Sequence, residues 1–332
     1  MKRKRTFRIL ISLIVTLILL AIIISQIKIS DITETLKRIP FPSILLAFLV
    51  YLIFNIFRTL RFQLLLNKKI SFRRLMPVIL IHSFFLNILP ARAGEFSYLY
   101  LLKKQDIPLR EAVSTLLIAR VFDGIALASL FILSVSLLEG AIPPLISNIF
   151  IFISILLSMG ILFLIIIFHY GSMPRSKLKK PFHKFLNKTH LEKSNFIHWL
   201  LKKVSELIKG FQAIQVKKKL TSLLFYSFGI WIFGYLVYVI LMEAMGIHLG
   251  IWAVFAGATF VIFASLMPVQ GLAGFGTTEG VWALVFFALG VKKELAIASG
   301  FSFHILRLLY ATILGVLSFL YLNLQNEGKR GY

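Results

Sequence analysis

Five charged residues sit inside hydrophobic sequence, where charge is costly: Glu95, Arg120, Asp123, Glu279 and Arg307. Glu95 closes the polar stretch Leu89-Pro-Ala-Arg-Ala-Gly-Glu95. Glu279 closes a second, Met267-Pro-Val-Gln-Gly-Leu-Ala-Gly-Phe-Gly-Thr-Thr-Glu279. Each stretch runs from proline through glycine to glutamate, and each precedes a long apolar segment with an arginine deep inside it, Arg120 and then Arg307. Ionisable groups at membrane depth are expensive and commonly mark a substrate path. Two similar interrupted segments in corresponding halves of a chain point to a transport pathway where the halves meet.

The residue types suit an anionic ligand. A guanidinium is a planar fork that can hold two phosphate oxygens. Arg120 lies about eleven residues into its helix and Arg307 about twelve, hence roughly 16 and 18 Å deep at 1.5 Å per residue. Both depths approach the middle of a hydrocarbon core about 30 Å thick. Asp123, three residues after Arg120, offers a purely structural ion pair on the same helix. His304 shares a face with Arg307, and Glu279 can pair with Arg307 through space. Glu95 and Glu279 admit two readings: first-turn carboxylates favoured by the helix dipole, or groups that meet a cationic head or carry a proton. The amides at the start of each return arm can also hold phosphate. Arg92 has no apolar surface to pack on in its break, Asn87 can satisfy loop backbone or line a cavity, and Gly271, Gly274 and Gly276 supply backbone freedom. The pathway set is therefore Asn87, Arg92, Gly94, Glu95, Arg120, Asp123, Gly274, Gly276, Glu279 and Arg307. Arg58 and Arg61, nearer a helix end, are read first as snorkelling side chains, with Asn55–Arg58 a weaker pathway candidate.

Composition narrows the class. Apolar residues make up 58% of the chain, only 15% are charged, and apolar runs of membrane-spanning length follow one another. The expected fold class is all-α, a polytopic membrane protein. Cysteine is absent, which removes disulfides and thiolate chemistry. The seven histidines form no HExxH pattern, so no metal site is expected. The second break is not a nucleotide loop, since no strand precedes it and no Gly-Lys-Ser/Thr follows. No cofactor and no catalytic residue are expected. The net charge of +24 lies mostly beside membrane segments, where the positive-inside bias and anionic lipid account for it better than nucleic acid does.

The elements that must position these residues follow from periodicity. A basic start, Met1-Lys-Arg-Lys-Arg5, precedes a helix over about 8–27, read as a retained signal anchor. Residues 30–39 form a short amphipathic interfacial segment, and a helix over about 41–66 follows. Leu75–Leu89 and Glu95–Leu102 are too short to span, since a crossing takes about twenty residues; they are expected to form a re-entrant hairpin. Long helices are expected at 109–138 and 145–168. Residues 169–220 hold thirteen lysines and arginines. Within them 196–214 is amphipathic and basic, lying on anionic membrane or serving as a solvated linker. The second half repeats the first: a helix at 220–245, arms at 250–266 and 279–289 around the second break, and a last helix at 295–324. The divisions are 1–40, 41–168, 169–219 and 220–332. The basic segments share the cytoplasmic side if six helices span and two hairpins re-enter, the first from the cytoplasm and the second from outside. That is an inverted repeat in the cell membrane with both termini cytoplasmic.

Taken together, Asn87-x-x-Pro90-x-Arg92-x-Gly94-Glu95, Arg120-x-x-Asp123 and Pro268 leading into Gly274-Phe-Gly-x-x-Glu279 resemble the flippase-like family related to the membrane region of lysylphosphatidylglycerol synthase. The resemblance runs from about residue 41 to the end. It implies movement of lipids, notably lysyl-phosphatidylglycerol, across the bilayer. Two positions depart from the family pattern: Tyr98 stands where arginine is frequent, and Ala273-Gly274 replaces a double glycine. The synthase adds a soluble aminoacyl-transfer domain after its membrane part; with Tyr332 last, none is expected here.

The leading reading is a translocator of an anionic or aminoacylated phospholipid, with membrane phospholipids as partners and no nucleic acid. Two other classes are weighed against it. An intramembrane lipid-modifying transferase needs a tuned general base, for which Glu95 or Glu279 would serve. A scaffold for a lipid-modifying partner enzyme would dock through the basic 169–220 segment. A homo-oligomer is compatible with each.

Overall fold

The computed structural model describes residues 29–89, 93–138, 144–171, 216–266 and 272–328. These form ten α-helices and one 3-10 turn, with no strand among the described residues. In chain order the helices are α1 (Ile29–Arg38), α2 (Phe41–Leu65), α3 (Phe72–Ile88), α4 (Glu95–Lys103), α5 (Leu109–Ser136), α6 (Pro144–Gly171), α7 (Val216–Ala244), α8 (Ile251–Leu266), α9 (Thr277–Ala288) and α10 (Lys293–Gly328); the 3-10 turn is Leu272–Gly274. The all-helical expectation holds, with boundaries close to those expected from periodicity. The expected signal anchor, the basic amphipathic helix at 196–214 and the proline ends of both breaks lie outside the described residues.

Among the described residues, four stretches are long and apolar enough to cross a membrane: Phe41–Leu65, Leu109–Ser136, Lys218–Ala244 and Lys293–Leu324. By contrast, α3, α4, α8 and α9 have 17, 9, 16 and 12 residues, each short of the roughly twenty needed to span. Ile151, Phe152, Ile155, Leu156 and Met159 on α6 are exposed, as are Val316, Leu317, Phe319 and Leu320 on α10. So much exposed apolar surface fits contact with lipid tails and not with water.

The helices pair reciprocally. The first long helix of each half, α2 and α7, make the most extensive contact among the described helices. Small residues permit it: a Cβ added at Gly229 would meet the Phe57 ring at 2.3 Å, and Gly234 faces Phe54. The first hairpin arm α3 packs on the last helix α10, while α8, its counterpart, packs on α5. One end of the bundle is fixed by polar contacts. Lys69 pairs with Glu111 at 2.6 Å, and Lys219 donates to the Leu64 carbonyl at 2.8 Å. The basic turn after α2 and the starts of α5 and α7 therefore lie together. At about 1.5 Å per residue, α7 then carries the chain across to the other end, where α8 begins. The amphipathic α1 lays Ile32 against Ile297, Ala298 and Phe301 near the start of α10.

Gly94 shows how tightly the first hairpin closes. A Cβ there would lie 2.4 Å from the Leu86 nitrogen and 2.5 Å from the Phe85 carbonyl. Both are backbone atoms and cannot rotate away. Gly94→Ala is expected to destabilise the protein by about 1–3 kcal/mol through overpacking. Gly124→Ala, where the added carbon meets nothing within 4 Å, is expected to be neutral or to stabilise by up to about 1 kcal/mol. Thermal unfolding of the purified variants in detergent separates the two; equal midpoints would contradict the tight closure.

Candidate functional site

Polar residues recur at helical spacing on the inner faces of otherwise apolar helices, and these faces converge. On α2 they are Tyr51, Asn55 and Arg58, with Arg61 one turn on; on α7 they are Ser227, Trp231 and Tyr238, with Gly234 on the same face. Ser83 and Asn87 come from the end of α3, Arg120 and Asp123 from the middle of α5, and His304 and Arg307 from α10. Ala273, Gly274 and Thr278 come from the second break. They line a cavity of about 170 Å³, large enough to hold several waters. The last turn of the first hairpin arm and the turn of the second hairpin thus wall one space.

Asp123 is the electrostatic centre of one wall. Its Oδ1 accepts from Arg61 Nη1 at 2.7 Å and from Trp231 Nε1 at 3.0 Å, and its Oδ2 accepts from Arg120 Nη1 at 3.3 Å. Arg61 also donates to Ser227 at 3.0 Å, and Arg120 donates to Glu95 at 2.9 Å. Five side chains from three helices, and Glu95 at the start of α4, are tied through one carboxylate. Its side chain is 9% exposed and that of Arg61 2%. A charge so buried requires an opposite charge with good hydrogen bonds, and removing one partner leaves the other uncompensated.

Arg58 is held differently. Its Nη1 donates to the Ser83 hydroxyl at 2.7 Å, Ser83 donates to Asn55 Oδ1 at 3.0 Å, and Asn55 donates to the Tyr51 carbonyl at 2.9 Å. These partners are neutral. Among the described residues Arg58 has no carboxylate within ion-pair distance, and neither has Arg307. Tyr51 lies within electrostatic range of both guanidiniums.

On the opposite wall Glu279 is fully buried. Its Oε2 accepts the Gly276 amide at 2.8 Å and its Oε1 bonds His304 Nδ1, whose ring stacks on Phe275. Glu279 thus acts as a first-turn cap of α9 and as a partner of His304, not of Arg307. Burial in the first turn aims the carboxylate along the α9 start, where His304, one turn before Arg307, is what it reaches. Ala273, Gly274 and Gly276 have φ of 54°, 80° and 84°, the left-handed region that glycine enters without cost. Ala273 takes that conformation with a side chain.

Of the pathway residues read from the sequence, Asn87, Arg120, Asp123, Gly274 and Arg307 line the cavity. Glu95 and Glu279 stand one bond behind the wall. Gly94 and Gly276 shape the backbone, and Arg92 lies outside the described residues. Arg58 and Arg61 are the correction. Read first as snorkelling, both are buried and line the cavity. The signal that finds them is the polar stripe 51–55–58 on an apolar helix, matched by 227–231–234–238 on its partner.

The family model described as the lysylphosphatidylglycerol synthase TM region matches residues 9–315. The chain belongs to this family. No curated protein and no solved structure matches it. Its membrane-spanning helices and its family make it a membrane protein, and the cavity lies within the matched region.

The Asp123 cluster has a measurable consequence. Asp123→Ala leaves two guanidiniums without their shared carboxylate and is expected to cost about 3–5 kcal/mol. Arg120→Gln, at a side chain 31% exposed, is expected to cost distinctly less. Thermal denaturation in detergent compares them, and an Asp123→Ala midpoint no lower than that of Arg120→Gln would remove Asp123 from its central place.

Proposed function

We propose that this protein is a lipid translocator that passes an anionic or aminoacylated phospholipid headgroup through the cavity while the tails stay in the bilayer. The observation carrying this reading is the cavity itself: four arginines wall it inside an apolar bundle, where both hairpins meet. Guanidiniums gathered at such depth fit a phosphate ligand. The family's membrane region supports a role tied to aminoacylated or anionic lipid.

The cavity lies between two halves that pair reciprocally, the arrangement expected of an inverted repeat. The first hairpin begins and ends near the Lys69–Glu111 and Lys219 contacts, and the second begins at the far end of α7. This supports hairpins entering from opposite faces, six spanning helices, and cytoplasmic termini in the cell membrane. Rocking of one half against the other would open the cavity to each face alternately.

Reconstitution tests the activity. Liposomes holding the purified protein are expected to exchange a tail-labelled anionic phospholipid between leaflets faster than empty liposomes. Arg58→Gln is expected to slow this about tenfold, the factor that one charge-assisted hydrogen bond commonly carries. Exchange no faster than in empty liposomes, across anionic and aminoacylated lipids, removes the reading.

Topology is open to a direct check, because the chain has no cysteine. Gln105→Cys is expected to react with an impermeant maleimide only from the cytoplasmic face, and Lys292→Cys only from the outer face. Labelling of both from one side overturns the opposed hairpins.

A further inference from the structure

A carboxylate and an imidazole are buried together beside the second break. The Glu279 side chain is 0% exposed and that of His304 7%. Glu279 Oε2 accepts the Gly276 amide at 2.8 Å, and Oε1 bonds His304 Nδ1. With the carboxylate ionised, Nδ1 carries the hydrogen and Nε2 presents a lone pair. Nε2 makes no hydrogen bond to any described residue and lies near Gly274, where an added Cβ would stand 4.0 Å from it. His304 lines the cavity, whereas Glu279 stands behind it. Water in the cavity therefore reaches the carboxylate through the ring. Capping α9 requires only Glu279 and the Gly276 amide; an ionisable ring that opens on a polar cavity is not part of that task. The first break also has a buried histidine, His82, but it meets the Gly94 carbonyl at 3.2 Å and does not line the cavity.

The surroundings of the pair are cationic. Arg307 lies one turn on along α10. Arg58, Arg61 and Arg120 line the same cavity, and Asp123 is the one carboxylate among the lining residues. Tyr51 on α2 and Tyr238 on α7 complete the ionisable lining, α3 contributes the neutral Ser83 and Asn87, and α8 has no ionisable residue. On α1, whose Ile32 packs in one cluster with Phe275, Glu34 and Arg38 form an exposed pair beside Asp31 and Lys37. A further positive charge on His304 thus works against neighbouring guanidiniums until an anion offsets them.

We propose that Glu279 and His304 form a proton-binding site on the cavity wall, and that headgroup passage is coupled to the proton taken up there. The coupling rests on the translocator reading; the proton site does not. A hydronium ion in the cavity gives its proton to the Nε2 lone pair and leaves as water, and no covalent bond of the protein breaks. The pair passes from one negative charge to none, an imidazolium held on a carboxylate by a charge-assisted bond. The wall gains one positive charge, which favours a phosphate in the cavity. By linkage, a bound phosphate favours the proton by the same factor. Proton and headgroup therefore enter and leave together, and a proton gradient drives the lipid toward the alkaline side.

The test uses the purified full-length protein. Infrared difference spectra are taken across about pH 5 to 8, the range in which histidine changes charge. Imidazole and carboxylate bands of one protonation event are expected in the wild type, lost in His304→Gln and in Glu279→Gln, and kept in Glu279→Asp. Wild-type and variant spectra that coincide overturn the proton site. Coupling is read in phosphatidylcholine liposomes with a trace of tail-labelled phosphatidylglycerol. With one proton carried per lipid, a gradient of about one pH unit is expected to enrich the label about tenfold in the leaflet facing the alkaline side. Without a gradient no enrichment is expected. Exchange that ignores the gradient overturns the coupling and leaves the translocator reading standing, a result that needs no variant to fold. No exchange at all removes that reading, and the infrared bands still decide the proton site.

Discussion

The carboxylate of Asp123 takes hydrogen bonds from Arg61 on α2, Arg120 on its own helix α5 and Trp231 on α7, all inside an apolar bundle. A charge buried this way cannot stand alone, and the low local dielectric makes each of its hydrogen bonds stringent in geometry. The three helices are therefore fixed about one point, and Arg120 extends the link through Glu95 to the start of α4. The cavity forms beside this cluster. Because Asp123 and Glu95 answer Arg61 and Arg120, the other two lining guanidiniums, Arg58 and Arg307, face the space without a carboxylate at ion-pair distance among the described residues. A structural ion-pair network and a charged ligand surface are thus parts of one arrangement, and the first determines which residues are left to form the second.

Backbone at the two breaks carries amides and carbonyls that helices would otherwise satisfy. In a bilayer such backbone is tolerated only where protein or a polar cavity covers it. Here the second break packs on α3 and lines the cavity, and its left-handed residues let the chain reverse in a few positions. The first hairpin closes by a different device, the missing side chain of Gly94 against the backbone of Phe85 and Leu86. One hairpin depends on glycine for conformation, the other for space. The Glu279–His304 pair and the Gly276 amide then lock the start of α9, so the turn beside the cavity is held by buried polar contacts.

Much of this is legible in residue order alone. Apolar runs, prolines and glycines mark the helices and breaks to within a few residues, because helix formation and helix termination are local. The charges Glu95, Arg120, Asp123, Glu279 and Arg307 are conspicuous for the same reason: each is an exception in its own apolar surroundings. Partner choice is not local. The sequence places Asp123 beside Arg120 but gives no sign that Arg61, sixty-two residues earlier, takes the shorter bond. Nor does it distinguish His304 from Arg307 as the partner of Glu279. Sequence by itself determined the class of fold, the two interruptions and the presence of costly charge. Tertiary structure alone decided which guanidiniums are neutralised and which face the cavity, because that depends on which helix faces meet, and burial makes every charge take whichever partner the packing brings within reach.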